Sequence, residues 1–200
     1  MKYIIMADGK GTRWNNYLNI PKHFIKIDGE SIIERTIRLL NTKDPDAEII
    51  VTSHDPRYDL KGSTRYEPKS NVLEIDRFTE ELIKDNICFL YGDTYYSEDS
   101  IDKIINEKVS DIMFFGNEKS IVAIKITDGS LFKRHVDNVR NLYLEEKIND
   151  CKGWQVYASF QNLDYNTKVI KNNFIVLKDD TRDYNSPSDY EKIKRKGALW

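Results

Sequence analysis

The sequence predicts an α/β protein in three layers, with a doubly wound, mainly parallel sheet between helices. Three observations carry this. Short apolar runs at 3–7, 48–52 and 87–91 have the length of buried parallel strands. Segments with helical spacing separate them, as strand–helix–strand crossovers require. A glycine turn follows the first run directly, at the strand end where such sheets hold their ligands.

The elements follow in order. Residues 3–7 form the first strand. Ser31 and Glu34 have capping-box spacing, and Ile33, Ile37 and Leu40 share a face, which predicts a helix over 31–40. A strand is expected at 48–52. Asn71 with Glu74 caps a second predicted helix, whose buried stripe is Ile75, Phe78 and Leu82. The strand at 87–91 ends at Gly92-Asp93. A helix over 97–106 precedes two paired strands, 112–115 and 121–126, joined through Gly116-Asn117. Residues 131–139 have helical spacing. From 140 to 170 aromatics, asparagines and charges mix without a firm period, and no element is assigned. A late strand is expected at 174–177, and Ser186-Pro187 opens a final helix with proline at its first position. No internal repeat, linker or boundary interrupts the pattern, so residues 1–200 read as one domain.

Composition narrows the function classes. Two hundred residues can bury a substantial core. A net charge of −2 excludes a broad basic face, so nucleic acid is not an expected partner. No apolar stretch has the length of a bilayer span, and Lys2 leads straight into a strand without signal-peptide organisation. The expectation is a cytoplasmic protein without membrane attachment. Cys88 lies inside an apolar run and reads as a core residue; with Cys151 as the only other cysteine, the chain reads as reduced. Three widely separated histidines make no zinc signature.

The glycine turn, Ala7-Asp8-Gly9-Lys10-Gly11-Thr12-Arg13, is the strongest functional signal. Glycines let the backbone approach a ligand, and its N–H groups can face phosphate oxygens. Arg13 and Lys22 add two cations to the same mouth. A Walker loop is excluded, because Lys10-Gly11-Thr12 has no glycine at the required distance upstream. A dinucleotide fingerprint needs a third glycine where Trp14 stands, although Asp55, past the second strand, imitates its ribose-binding acid.

The order Gly-x-Gly-x-Arg then Pro21-Lys22, followed by Asp28-Gly29-Glu30-Ser31-Ile32-Ile33-Glu34, resembles the opening of the nucleotidyltransferases that activate sugar phosphates and choline phosphate. That family's wording is L-A-A-G-x-G-T-R, then P-K, then G-K-P-L-I-E. The likeness covers about forty residues closely and returns at Gly92-Asp93 and at Asp183-Tyr184-Asn185-Ser186-Pro187. It implies a Rossmann-like nucleotidyltransferase fold. It also implies transfer of a nucleoside monophosphate to a phosphorylated acceptor, with Arg13 on the β/γ-phosphates and Lys22 on the α-phosphate. Ala7, Asp8, Gly9, Gly11 and Thr12 would line the nucleotide, and Ser53 and Asn71 are its polar base-side candidates. Mg²⁺ would be held by Asp93 and by Asn185, which stands at the family's second acidic position, with Asp183 as the alternative ligand. Asp8 departs from the wording, which has a small residue there.

The short chain resembles cytidylyltransferases of small acceptors in surface-glycan modification more than the longer sugar-specific enzymes, so CTP is the favoured nucleotide. Tyr95, Tyr96, Trp154 and Tyr157 are candidates for an aromatic cage around a choline-type cation. Arg77 and Lys125 would instead meet the carboxylate of an amino-acid phosphate. A sugar-1-phosphate uridylyl-, thymidylyl- or guanylyltransferase is the nearest alternative. A glycosyltransferase would need a second acid that Asp93-Thr94-Tyr95 lacks. A nucleotide sensor would bind without turnover. A homodimer is compatible with the sequence.

Overall fold

The structure, a computed structural model, describes residues 1–197. β1 (Lys2–Met6) enters the glycine turn, and a small hairpin, β2 (Lys26–Ile27) and β3 (Glu30–Ser31), delivers the chain to α1 (Ile32–Lys43). β4 (Glu48–Thr52) and β5 (Thr64–Tyr66) follow, then two 3₁₀ turns, Glu74–Arg77 and Glu80–Leu82. β6 (Ile87–Tyr91), the two-residue β7 (Thr94–Tyr95) and α2 (Glu98–Asn106) lead to the hairpin β8 (Ile112–Gly116) and β9 (Ile121–Ile126). α3 (Gly129–Leu144), α4 (Gly153–Gln161), β10 (Phe174–Val176), β11 (Arg182–Asp183) and α5 (Pro187–Gly197) complete the described chain.

Seven strands form one sheet in the order β10-β8-β9-β6-β1-β4-β5. β1 runs parallel to both β4 and β6, and β9 alone runs against its neighbours. The crossovers between β1, β4 and β6 place layers on both faces. Alternate side chains of β1 divide between two cores, as the strand period demands. Ile4 and Met6 join Phe89, Phe114, Phe132 and Val136 on the α3–α4 face. Tyr3 and Ile5 join Ile33, Ile37, Leu90 and Ile101 on the α1–α2 face. Each such fully buried side chain is worth roughly 1.5–3 kcal/mol in transfer from water. The expected three-layer architecture is therefore present.

Local chemistry accounts for the helix starts. Ser31 Oγ accepts from the Glu34 N–H and donates to Glu34 Oε2, and Ser97 Oγ accepts from the Ser100 N–H at 2.9 Å. Two expectations are corrected. The segment after Asn71 is not one helix but two 3₁₀ turns, although Ile75, Phe78 and Leu82 are buried as foreseen. Asp76 Oδ2 takes the N–H groups of Val72 and Leu73 and the Ser70 hydroxyl, so a side chain closes the turn where an α-helix would need backbone bonds. Lys125 does not face an acceptor. Its ammonium donates to the carbonyls of Ile104, Ile105 and Glu107, which closes the C-terminus of α2.

The corner after β6 is set by Gly92. Its N–H donates to Met6 O at 3.0 Å, and a Cβ there would lie 2.8 Å from that oxygen, 3.2 Å from His23 Cδ2 and 3.3 Å from Ala7 Cβ. Only glycine lets the chain turn against the end of β1. Gly92→Ala is expected to lower stability by about 1–3 kcal/mol through overpacking, measured by urea unfolding. A variant as stable as the wild type would remove this constraint.

Candidate active site

Three loops meet over the ends of β1, β4 and β6. Gly11 has φ +59°, the left-handed region that glycine favours, and its carbonyl accepts from the N–H groups of Trp14 and Asn15 at 2.9 and 3.2 Å. Trp14 is buried and its indole donates to Ile20 O at 2.8 Å, so the residue that spoils a dinucleotide fingerprint anchors the loop. Gly9 lies against the Arg77 guanidinium, whose Nη2 would be in ordinary contact, at 3.4 Å, with a Cβ at that position.

Asp8 ties this turn to the next two segments. One carboxylate oxygen accepts from the His54 N–H at 2.9 Å. The other accepts from His54 Nδ1 and from Asn71 Nδ2, each at 2.8 Å. The same amide of Asn71 donates to the Asp8 carbonyl at 2.6 Å. A carboxylate only accepts, so His54 carries its proton on Nδ1 here. The acid that departs from the family wording thus binds together the two segments expected beside the base.

At the Gly92 corner, Lys22 and Asp93 form a buried ion pair. Burial alone would raise the Asp93 carboxyl, but the Lys22 ammonium, with Arg77 beyond it, holds it below the usual carboxylate range. His23 is buried next to this pair, with Nδ1 2.6 Å from the Tyr58 hydroxyl. Burial, reinforced by the Lys22 charge, brings its imidazole down to about 3, so it is neutral.

The C-terminal phrase is stitched to the same corner. β11 pairs antiparallel with β7, setting Asp183 opposite Thr94, and the Tyr184 N–H donates to Asp93 O at 2.8 Å. Arg13 Nη2 donates to Asn185 Oδ1 at 2.7 Å, and Asn185 Nδ2 donates to Asp183 Oδ2. Ser120 Oγ reaches that same oxygen at 3.1 Å. An amide can accept from the arginine and donate to the carboxylate together, whereas a second carboxylate at 185 would repel Asp183. The three groups border a cleft of about 530 Å³ whose walls also carry Thr12, Arg77 and Trp154. Oxygen donors of Asp93, Asp183 and Asn185 suit a hard cation. Among the described residues no cluster of three His, Cys, Asp or Glu forms a metal cage. A cation here would therefore complete its shell from phosphate and water, as Mg²⁺ commonly does.

No protein-family model and no curated protein matches the sequence. Solved structures do match. CTP:phosphocholine cytidylyltransferase from Streptococcus pneumoniae is 16% identical, with 97% of each chain covered and a TM-score of 0.60. The inositol-1-phosphate CTP transferase of T. maritima is 13% identical over 94% of this chain and 90% of that one, at 0.58. UTP-bound UGPase from Acinetobacter baumannii is 11% identical over 99% and 93%, at 0.66. The chain has the nucleotidyltransferase fold. The resemblance in its opening residues therefore extends through the whole architecture.

Within the nucleotidyltransferase fold, the expected residues are distributed unevenly. Thr12, Arg13, Asp93, Asp183 and Asn185 border one cleft. Lys22 lies behind it on Asp93. Gly9, Gly11 and Lys22 instead border a separate, smaller hollow with Trp14 and Tyr58. Ala7 is buried at the end of β1, where its N–H donates to Thr52 O. Ser53 is buried, and its hydroxyl accepts from the Asp55 N–H. Of the four aromatics, only Trp154 borders the cleft. Tyr96 and Tyr157 are core residues whose hydroxyls donate to Val122 O and Asn172 O, and Tyr95 lies under Arg35 at 4.8 Å. The expected cage is not assembled, because burial of large aromatic surface outcompetes its exposure. Sequence reasoning missed Lys119, Lys152 and Lys168, which border the same cleft. Lys152 and Lys168 lie in the stretch without periodicity and Lys119 in the loop between two strands, and no local signal marks them.

Two outcomes test this geometry. Below the ordinary imidazole value of 6.5 the unfolded chain binds a proton that folded His23 refuses until about pH 3, so stability falls as pH drops through that window. Urea unfolding from pH 6.5 to 5 should lose up to about 1.4 kcal/mol per pH unit from this residue. His23→Gln should remove one proton from the slope. Asp8→Ala should release the His54 and Asn71 segments, read as faster amide hydrogen exchange there; unchanged protection would remove this role.

Proposed function

We propose that the protein transfers a nucleoside monophosphate, from CTP by preference, to the phosphate of a small-molecule acceptor, releasing pyrophosphate. The convergence of Arg13, Asp93 and the Asp183–Asn185 phrase on one cleft, with Lys22 paired to Asp93 behind it, carries the reading. It sets phosphate-binding cations beside hard oxygen donors. An acceptor phosphate oxygen attacks the α-phosphorus in line; the new O–P bond forms as the bond to the β-phosphate oxygen breaks. Such a step needs positioning and cancellation of charge rather than covalent help. Arg13 leaves Asn185 to meet the β- and γ-phosphates and stabilises the departing pyrophosphate. Lys22 turns from Asp93 to the α-phosphate and the attacking phosphate. Mg²⁺ held by Asp93, Asp183 and Asn185 would neutralise charge at the α-phosphate. The preference for CTP is supported by likeness to the S. pneumoniae cytidylyltransferase along nearly the full length of both chains. The product would be a CDP-linked donor of the kind consumed in surface-glycan modification.

The test is pyrophosphate release from each nucleoside triphosphate with a panel of phosphorylated acceptors. CTP should give the highest kcat/KM, and no release from any pair would sink the proposal. Arg13→Ala and Asp93→Asn should each lower kcat by about 10²–10³. Chelation should abolish turnover and Mg²⁺ restore it. An Asp93→Asn enzyme with unchanged Mg²⁺ dependence would remove the metal assignment.

A further inference from the structure

The cleft has two walls of different character. Thr12 and Arg13, at the end of the glycine turn, form the wall assigned to the nucleotide. The opposite wall comes from the β8–β9 loop, the start of α4 and the segment after it, and carries Lys119, Lys152 and Lys168 around Trp154. Lys152 is paired with Asp150 at 2.7 Å. Lys119 and Lys168 have no carboxylate partner among the described residues. Lys168 Nζ donates to Lys119 O at 3.3 Å and lies 5.5 Å from the Trp154 ring centroid. Phe174 stacks on the same indole at 5.6 Å. Of the two aromatic rings that border the cleft, Tyr91 and Trp154, the Trp154 indole already has a cation over it. Two unneutralised ammonium groups beside it would repel another.

We propose that the acceptor carries a second anionic group, a carboxylate or a phosphoryl, besides the phosphate that reacts, and that Lys119 and Lys168 hold it. The inference rests on the proposed reaction for its placement of the nucleotide on the other wall. It selects among acceptors on charge. A choline-type acceptor is disfavoured by the same lysines, while an acceptor with two anionic ends spans the cleft from the Lys22–Asp93 corner to Trp154. Arg77, with Glu74 at 3.5 Å, borders the same cleft.

Calorimetric titration tests this directly, with and without a non-hydrolysable CTP analogue. The probes are 3-phosphoglycerate, 1,3-propanediol bisphosphate, glycerol 3-phosphate and choline phosphate. The carboxylate or bisphosphate probe should bind at least about tenfold more tightly than glycerol 3-phosphate, with choline phosphate weakest. Whichever of the first two binds better identifies the group. The Lys119→Gln/Lys168→Gln double variant should lose the preference while its affinity for the CTP analogue stays unchanged. Equal binding of glycerol 3-phosphate, tighter binding of choline phosphate, a preference intact in the double variant, or a loss of CTP-analogue affinity in it would each overturn the proposal. If no acceptor releases pyrophosphate yet the preference holds, the reaction falls and the anion site stands. If choline phosphate is the best substrate, the reaction stands and the anion site falls.

Discussion

Lys22 and Asp93 place opposite charges side by side in a region from which water is largely excluded, and neither would be tolerated there alone. Removing one partner of such a buried pair typically costs about 3–5 kcal/mol, because the other charge is left without compensation. Both residues are more than nine-tenths buried. Gly92 turns tightly against the end of β1 at this corner, and Lys22 opens the short 3₁₀ turn that follows Pro21. His23 stays neutral beside it, which spares the corner a third charge. Lysine in this position keeps the carboxylate ionised, the form that a cation would need.

The rest of the site is a set of cross-links radiating from that corner. Tyr184 bonds backbone to backbone with Asp93, so the C-terminal phrase is positioned by a strand ladder and not by loop chance. Asn185 relays between Arg13 and Asp183. Asp8 binds the glycine turn to the His54 and Asn71 segments. A satellite core of Trp14, Ile25, Ile32 and Tyr184 lies beneath these links and joins the turn, the β2–β3 hairpin and the C-terminal phrase. Loops carry the chemistry, and packing beneath them supplies their precision.

How legible this was depended on the range of the interactions. The strand at 87–91 and the capped helix after Ser31 follow from period and local capping, and both form where expected. The segment after Asn71 shows local pattern failing. Its apolar stripe is buried, yet the competing Asp76 side chain changes the backbone, and Asn71 turns away to Asp8, sixty-three residues earlier. β5, β7 and β11 are two or three residues long and have no period to read. Lys125, in an apolar strand, was expected to meet an acceptor's carboxylate; only the approach of the α2 carbonyls shows its use.

By itself the sequence determined the alternation of strands and helices, the glycine turn and the identities of Arg13, Lys22 and Asp93, because these depend on neighbours within a few positions. Only the tertiary structure decided which charges meet. The Lys22–Asp93 pair spans seventy-one residues and the Arg13–Asn185 bond one hundred and seventy-two. It also decided that the aromatic candidates divide between core and cleft, and that Lys119 and Lys168, in the cleft with Trp154, have no carboxylate partner among the described residues. Electrostatic partnership depends on distance in space and on the exclusion of water, and neither is written in local order.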